Sequence, residues 1–521
     1  MLGLLVVAVG IRAAYVGTDP FPLHDGGLFL AMIEELLRNG FALPHATAYN
    51  GDGIPFAYPP LGLYLVALAS VATGAEPLTV MVRLPAALSA ATVPVFYSLA
   101  RGVTGSRRAA AFGALFFAAM PASFTWMIMG GGATRAPGYL LSIAAMAVTL
   151  AAFRSGARRT AALGGGLFGL AALGHPQFAW YAAAMLLVGF AGRPPSAATW
   201  RAGLVAALAA LAVVTPWLGI TVARHGHEPL LRAFATNGFA DARREPTFDR
   251  VVRAQYEPVV GHGVWVHYGG AIPVTLGLVG VAASLWGRRP LAAAWLILLP
   301  LAGSRAGPQA LAIPLACLCG VAAEAWWLIA ARAAPALPCR VLARVGRAPA
   351  PRAARLGGQL VAAAGLLAVL VLQAHVALGD PLRLLGRLTA DERASLRWVA
   401  EYTPPESRFA VMKPGTAAGW WDDRITEWFP ALAQRTSVAT PQGREWVMDF
   451  RIALRTYGGL QRCADATSAC LDAWEARFEE RLSHVYIPKD ARPPRLRRSL
   501  DGSDDFELAY DGPAAWIYRR R

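Results

Sequence analysis

Charge is scarce in this chain: 16% of its 521 residues are charged and 55% are hydrophobic. Soluble domains carry about 25% charged residues. The deficit is local. Apolar runs dominate from Met1 to about Gly379, whereas Asp380 to Arg521 has the charge density of a soluble protein. The shift predicts a membrane part over 1–378 and a soluble domain over 379–521. Acidic residues are the scarcer sign, which leaves a formal net charge of +16. In a soluble protein that excess would point to nucleic acid. Here the arginines sit in short gaps between apolar runs, as in Arg107-Arg108, Arg158-Arg159 and Arg288-Arg289. No aromatic residues interleave with them, so they read as topology anchors and not as a nucleic-acid surface. A Walker A loop is missing, as is a Gly-x-Gly-x-x-Gly at a strand–helix junction. There is no Cys-x-x-Cys and no Gly-x-Ser-x-Gly elbow. These absences argue against a nucleotide-driven pump.

Cysteine is sparse too, with five in the chain. Cys317 and Cys319 lie in an apolar run and read as small hydrophobes. Cys339 sits in an arginine-rich gap and reads as free. Cys463 and Cys470 close a short loop in the tail, where a disulfide fits an extracytoplasmic location.

What is plentiful is apolar sequence. A helix needs about 20 apolar residues to cross the hydrocarbon core. Runs at 1–17, 59–74, 80–100, 109–128, 136–153, 161–191, 202–221, 269–286, 290–304, 308–330 and 357–378 reach or approach that length. Inside lipid the backbone must satisfy itself, so they are predicted to be helices, about 10–12 in all. Met1 to Val16 has no basic leader and no small-residue cleavage site and reads as a retained first span. Gly174-His175-Pro176 divides the run 161–191.

The gap 331–356 carries Arg332, Arg340, Arg344, Arg347, Arg352 and Arg355 with no acidic residue. Such a gap belongs in the cytoplasm. One run then separates it from the tail, which therefore faces outward. Arg288-Arg289 also reads as cytoplasmic, placing 222–268 outside. The front half conflicts with this scheme. If 59–74 and 80–100 each cross, Arg101 to Arg108 falls outside. Either one early run does not cross, or those arginines face outward to hold phosphate.

Three polar pieces remain. The first, 18–58, contains an amphipathic stretch, Leu28 to Leu37, with Glu34 and Glu35 on its polar side, suited to lying on the membrane surface. The second is 222–268, with Arg224, His225, His227, Arg243, Arg244, Arg253, His262 and His267. These basic residues suit donor phosphate or anionic lipid heads. The third is the tail, where Asp391 to Tyr402 has a helical pattern and His484 to Ile487 and Ala514 to Tyr518 read as strands. A small α+β domain is expected there.

The most informative stretch runs from Asp19 to Leu65. Asp25 follows the first span, an amphipathic helix comes next, and Tyr58-Pro59-Pro60 opens the second apolar run. This layout resembles the GT-C class of polytopic glycosyltransferases, which includes protein O-mannosyltransferases and aminoarabinose transferases. The resemblance implies a GT-C-like membrane domain and a sugar transfer, with inversion, from a polyprenyl-phosphate donor to an extracytoplasmic glycan, lipid or protein acceptor. It implies that Asp25 acts as general base or orients the acceptor. A hydroxyl is a poor nucleophile until a carboxylate takes its proton, and a phosphate leaving as an anion needs a basic partner. Many members carry paired acidic residues where this chain reads His24-Asp25-Gly26-Gly27. The local alternative for Asp25 is a cap on the helix starting near Gly26.

Further candidates for substrate binding follow. Asp52, in Asn50-Gly51-Asp52-Gly53, is a turn residue beside the motif. Arg135, after Gly130-Gly131-Gly132, suits an anion approached by backbone amides. His175 interrupts a run where the related enzymes often carry Lys-Gly-Pro. Asp422, Asp423 and Glu427 lie among Trp420, Trp421 and Trp428, and carboxylates beside aromatic rings suit a sugar. His24 and His45 have no metal-ligand spacing around them. No cofactor is expected to be required, and help from a divalent cation stays open. Two other readings remain: a GT-C-like scaffold without catalysis that binds lipid or glycan, and a transporter or flippase.

Overall fold

The computed structural model describes residues 2–194, 196–236, 263–303, 306–333, 351–417, 419–489 and 495–521. Arg243, Arg244, Arg253, His262, Cys339, Arg340, Arg344 and Arg347 lie outside the described residues.

The apolar runs fold as helices. In the first half these are α1 (Leu2–Val16), α2 (Gly27–Arg38), α3 (Leu61–Thr73), α4 (Pro77–Thr104), α5 (Arg107–Ala119), α6 (Gly132–Ser155), α7 (Arg158–Gly174), α8 (Pro176–Ala191) and α9 (Ala197–His225). The second half adds Ala271–Trp286, Leu291–Leu298, Gly307–Ala333 and Pro351–Leu384. Among the described residues, α4, α6, α9, Gly307–Ala330 and Gln359–Val376 are long and apolar enough to cross a bilayer. Five shorter apolar helices accompany them. The run 109–128 stops being α-helical at Ala119, and Met120 to Gly131 is irregular apart from one 3-10 turn at Pro121–Ser123. Pro121 has no N–H to continue the ladder.

The buried cores of the bundle explain how α1 tolerates an arginine. Arg12 donates to Ala118 O at 2.6 Å and to Ser89 Oγ at 3.3 Å, and lies over the Phe124 ring. A buried charge is tolerated when its donors find oxygen partners.

The arginine gaps collect at one end of the bundle. Arg289 donates to Thr104 O, and Arg154 donates to Gly102 O at 3.4 Å. Thus 101–108, 154–159 and 287–289 share one face. At the other end, Gly62 at the start of α3 abuts Ala133 and Thr134, and Met81 near the start of α4 abuts Gly26. Both helices therefore begin at the end opposite the arginines. The 13 residues of α3 rise about 20 Å, short of the roughly 30 Å hydrocarbon core. With 59–74 as the early run that does not cross, 101–108 would lie on the same side as 154–159 and 287–289, and the conflict in the front half would disappear.

The tail contains Ala390–Tyr402, opened by a capping box between Thr389 and Glu392, and a five-stranded sheet. The strands are β1 (Arg408–Val411), β2 (Thr436–Ser437), β3 (His484–Pro488), β4 (Phe506–Asp511) and β5 (Ala515–Arg520), in the order β2-β1-β3-β5-β4. β1 runs parallel to β2 and β3, while β5 runs antiparallel to β3 and β4. The helices Arg424–Ala433, Phe450–Gln461, Ala469–Phe478 and Arg495–Asp501 accompany the sheet. Cys463 and Cys470 form a disulfide, and Cys317 and Cys319 are buried thiols. The protein is a polytopic helical membrane protein with a C-terminal α+β domain.

The tail is not a separate bead. One core joins Phe29, Ile33 and Leu36 of α2 to Leu63 of α3 and to Trp428, Phe429 and Ile517 of the tail. The apolar face of α2 is thus covered by α3 and by Arg424–Ala433 rather than by lipid, a correction to the surface-helix reading.

Candidate functional site

The loop after α1 meets the irregular segment before α6. Leu23 bridges to Met129, and Gly130 N–H donates to Leu23 O at 2.9 Å. A Cβ on Gly130 would lie 1.7 Å from Asp25 O, so only glycine allows this approach. Gly26, at φ +136, turns the chain into α2.

This contact delivers the Asp25 carboxylate to two donors. Gly131 N–H donates to Oδ1 at 2.9 Å, and Arg135 Nη2 donates to Oδ2 at 2.5 Å. Gly26, not Asp25, is the N-cap residue of α2, and no side chain bonds there. The capping alternative therefore fails. Burial pushes the Asp25 carboxyl up, but Arg135, His24 and the Gly131 amide outweigh it and hold it below the usual carboxylate range. Arg135 is not in a loop: it lies in the first turn of α6, where the helix dipole favours an anion. Its guanidinium packs over Trp126 at 4.5 Å, and its Nε has no partner.

The tail closes over this centre. Trp428 Nε1 donates to His24 O at 2.9 Å, Gly26 N–H donates to Glu427 Oε1 at 2.8 Å, and Tyr49 OH donates to Glu427 O at 2.6 Å. Burial, then the charge of Asp25, push the Glu427 carboxyl up to about 8, against the Gly26 and Gly27 amides and Arg135.

A cavity of about 900 Å³ opens beside these groups. His24, Asp25, Tyr58, Arg135, His175, Asp423 and Glu427 line it. Its far wall is apolar, with Phe168, Trp180, Val214, Trp217 and Leu218 from α7, α8 and α9. Only 11% of the most apolar stretch of α9 is buried, so this wall backs onto the bundle's exterior. The tail side carries Trp420, Trp421, Gln442, Glu445 and Trp446.

The sequence candidates separate on this geometry. His175 lies at the α7–α8 junction, packs edge-on to Trp126 and has an unpartnered Nδ1. Tyr58 OH is 3.4 Å from Thr134 Oγ1 and the ring stacks edge-on to Phe29. Asp423 reaches the cavity, but its oxygens cap the Arg424–Ala433 helix and accept from Thr426 and Tyr457. Burial raises its carboxyl despite those bonds. Asp422 does not line the cavity and pairs with His24 at 3.7 Å and Arg424 at 3.8 Å. Asp52 is also outside it. Arg444 grips Asp52 at 3.0 and 3.2 Å, and this pair fastens the first loop to the tail. Asp52 acts as a brace between the first loop and the tail. His45 packs against His225, and Arg224 donates to Leu43 O at 2.9 Å, in a second, open cleft.

Trp126 was missed. The apolar run 109–128 hid it, and Pro121 was the signal that the helix had already ended. Among the described residues no three His, Cys, Asp or Glu side chains converge as metal ligands.

No family model matches this sequence, and no curated protein matches it. The fold does match solved structures. One is the oligosaccharyltransferase AglB of Archaeoglobus fulgidus in complex with an inhibitory peptide and a dolichol-phosphate: TM-score 0.63, 16% identity, over 94% of this chain and 69% of that one. A second is ArnT of Cupriavidus metallidurans: TM-score 0.57, 15% identity, over 99% and 97%. ArnT has also been solved bound to undecaprenyl phosphate. A third is the mycobacterial arabinofuranosyltransferase AftD: TM-score 0.60, 16% identity, over 100% and 39%. The chain has the GT-C fold, and at these identities the likeness establishes the fold.

Proposed function

We propose that this protein is a membrane glycosyltransferase that moves a sugar from a polyprenyl-phosphate donor to an acceptor outside the cytoplasm. The observation that carries the reading is the buried Asp25–Arg135 pair lining a cavity with one apolar and one aromatic–polar wall. The apolar wall suits a prenyl chain. The wall of Trp420, Trp421 and Trp446 suits a glycan, lipid or protein acceptor. The bound lipid phosphates of the AglB and ArnT structures support the donor class.

In the proposed reaction an acceptor oxygen attacks the anomeric carbon as the bond from that carbon to the phosphate oxygen breaks. A single displacement inverts the centre. The acceptor's proton passes to Asp25, which Arg135 keeps ionised in the empty site. The donor's phosphate, on binding, draws the guanidinium from Asp25 and frees the carboxylate as base, and the charge that the leaving phosphate gains as the bond breaks falls on Arg135. His24 and His175 complete the polar end of the cavity.

A divalent cation fits this centre poorly. A structure of the Archaeoglobus oligosaccharyltransferase contains Zn and sulfate. Here both Asp25 oxygens already face donors, one a full positive charge. The guanidinium fills the place a cation would take, and no step is routed through a metal.

The arginine-bearing end is proposed to face the cytoplasm and the site and tail to face outward. The spacing of basic gaps supports this orientation.

The test uses purified protein in liposomes with labelled polyprenyl-phosphate sugars. Asp25→Asn should lower transfer at least 100-fold while the variant still binds polyprenyl phosphate. Wild-type rates in Asp25→Asn would remove Asp25 from the chemistry and leave a binding scaffold.

A further inference from the structure

Glu427 is a half-buried carboxyl that lines this site and that the proposed reaction leaves without a task. It comes from the tail, yet its Oε1 accepts the amide of Gly26, the residue after Asp25, and it lines the same cavity. The backbone clamp around it is tight. A Cβ on Gly27 would lie 2.6 Å from Glu427 O, and Tyr49 OH holds that carbonyl. Glu427 is thus held against the catalytic loop by several partners and not by chance proximity.

The charges around it set its form. Asp25 and Tyr49 from the first loop and Arg135 from α6 interact with it, and His24 and Tyr58 line the same cavity. Asp423 and Glu445 line the same cavity from the tail. Of these, Arg135 is the cation that acts on it directly, and Arg135 is already bonded to Asp25. A phosphate entering the cavity would add a further negative charge. An ionised Glu427 would then be a second carboxylate beside Asp25 and a phosphate, with one guanidinium among three anions. A neutral carboxylic acid fits instead. Its carbonyl oxygen would accept from Gly26, and its O–H would donate into the cavity that Glu427 lines.

We propose that Glu427 is a further substrate-contacting residue of this site, acting as a neutral carboxylic acid that donates its O–H hydrogen bond to a donor or acceptor oxygen beside Asp25. The proposal rests on the transferase reading for its substrate. It divides the two carboxyls by role: Asp25 ionised and accepting, Glu427 protonated and donating. Environments that push two neighbouring carboxyls in opposite directions are how such roles are assigned. No net proton leaves Glu427 in the cycle.

Two measurements on the full chain test it. The first needs no activity: infrared difference spectra of wild type against Glu427→Gln. A protonated-carboxyl carbonyl band should be present at pH 7, vanish as pH rises through about 8, be missing in Glu427→Gln, and persist to higher pH when undecaprenyl phosphate is added. The second is the pH–rate profile. Wild-type transfer should fall as pH rises through that range. Glu427→Gln should be slower but lose the fall, because its amide still donates and does not ionise. Glu427→Ala should be slower again, by about tenfold. Absence of the infrared band at pH 7, or a Glu427→Gln profile that keeps the alkaline fall, would overturn the proposal. If no donor supports transfer, the glycosyltransferase reading fails on its own, and the infrared titration still decides the state of Glu427.

Discussion

Asp25 is buried and Glu427 half-buried, and desolvation penalises the charge of each. They differ in what answers that penalty. Asp25 has a guanidinium and an amide, and its pKa falls below the ordinary range. Glu427 has amides but also the charge of Asp25, and its pKa rises to about 8. The sign for stability follows. Glu427 ionises at about 4.3 in the unfolded chain, so the folded state holds a proton that the unfolded state has lost across the interval up to about 8. Stability is full below that interval and declines through it as pH rises. Glu427→Gln should therefore gain thermal stability over wild type at pH 8.5 relative to pH 5, as read by melting temperature at both values.

The first-loop aspartate stood out in the sequence because it follows an apolar run and precedes an amphipathic helix. Its partner did not. Arg135 sits 110 residues later, and only the glycine-permitted contact of Gly130 with Asp25 brings the two together. Gly130→Ala should displace that loop and lower transfer about 100-fold or more. The variant should still fold, since the strain falls on the loop and not on the core. Normal activity in Gly130→Ala would show that the loop contact is dispensable.

Among the elements, period and length made most helices legible. α2 was expected over Leu28 to Leu37 and spans Gly27–Arg38. The break at His175 separates α7 from α8 as the sequence indicated. Apolar composition alone misled in two places. It carried the run 109–128 past Pro121 into the site, and it left open whether 59–74 crosses. A helix of 13 residues is as apolar as a span, and composition carries no mark of where it ends. The tail helix Arg424–Ala433 read as aromatic and acidic, suited to gripping sugar. Instead most of its groups are structural: Asp423 caps it, and Trp428 anchors His24. Trp428 is fully buried. Trp428→Ala should cost about 3–5 kcal/mol by cavity formation and should loosen the Asp25 loop. Protease sensitivity of residues 17–26 should rise. Unchanged protection there would mean that the first loop holds itself.

At the scale of the whole molecule, the shift in charge density near Asp380 marked the boundary between bundle and tail. It could not show that the two parts share a core, because burial of α2 against Trp428 and Ile517 is a long-range contact with no local signature. The shared core makes the tail part of the site. The proposed sidedness is open to cysteine labelling with a membrane-impermeant reagent in intact cells. A cysteine replacing Gly502, on the tail surface, should label from outside, and one replacing Arg158 should label only after permeabilisation. The reverse pattern would invert the molecule and end the extracytoplasmic reading.

The central claim is that the Arg135 guanidinium, poised on Asp25, receives the phosphate of a prenyl lipid. In the proposed reaction polyprenyl phosphate is released whichever sugar is moved, so its binding can be measured with the sugar and acceptor unknown. Titration of undecaprenyl phosphate into purified wild type, Arg135→Ala and Asp25→Asn tests the claim directly. Arg135→Ala should bind at least tenfold more weakly than wild type, and Asp25→Asn as tightly or more tightly, because the guanidinium is no longer held by a carboxylate. Equal affinity in wild type and Arg135→Ala, with both proteins folded, would contradict it.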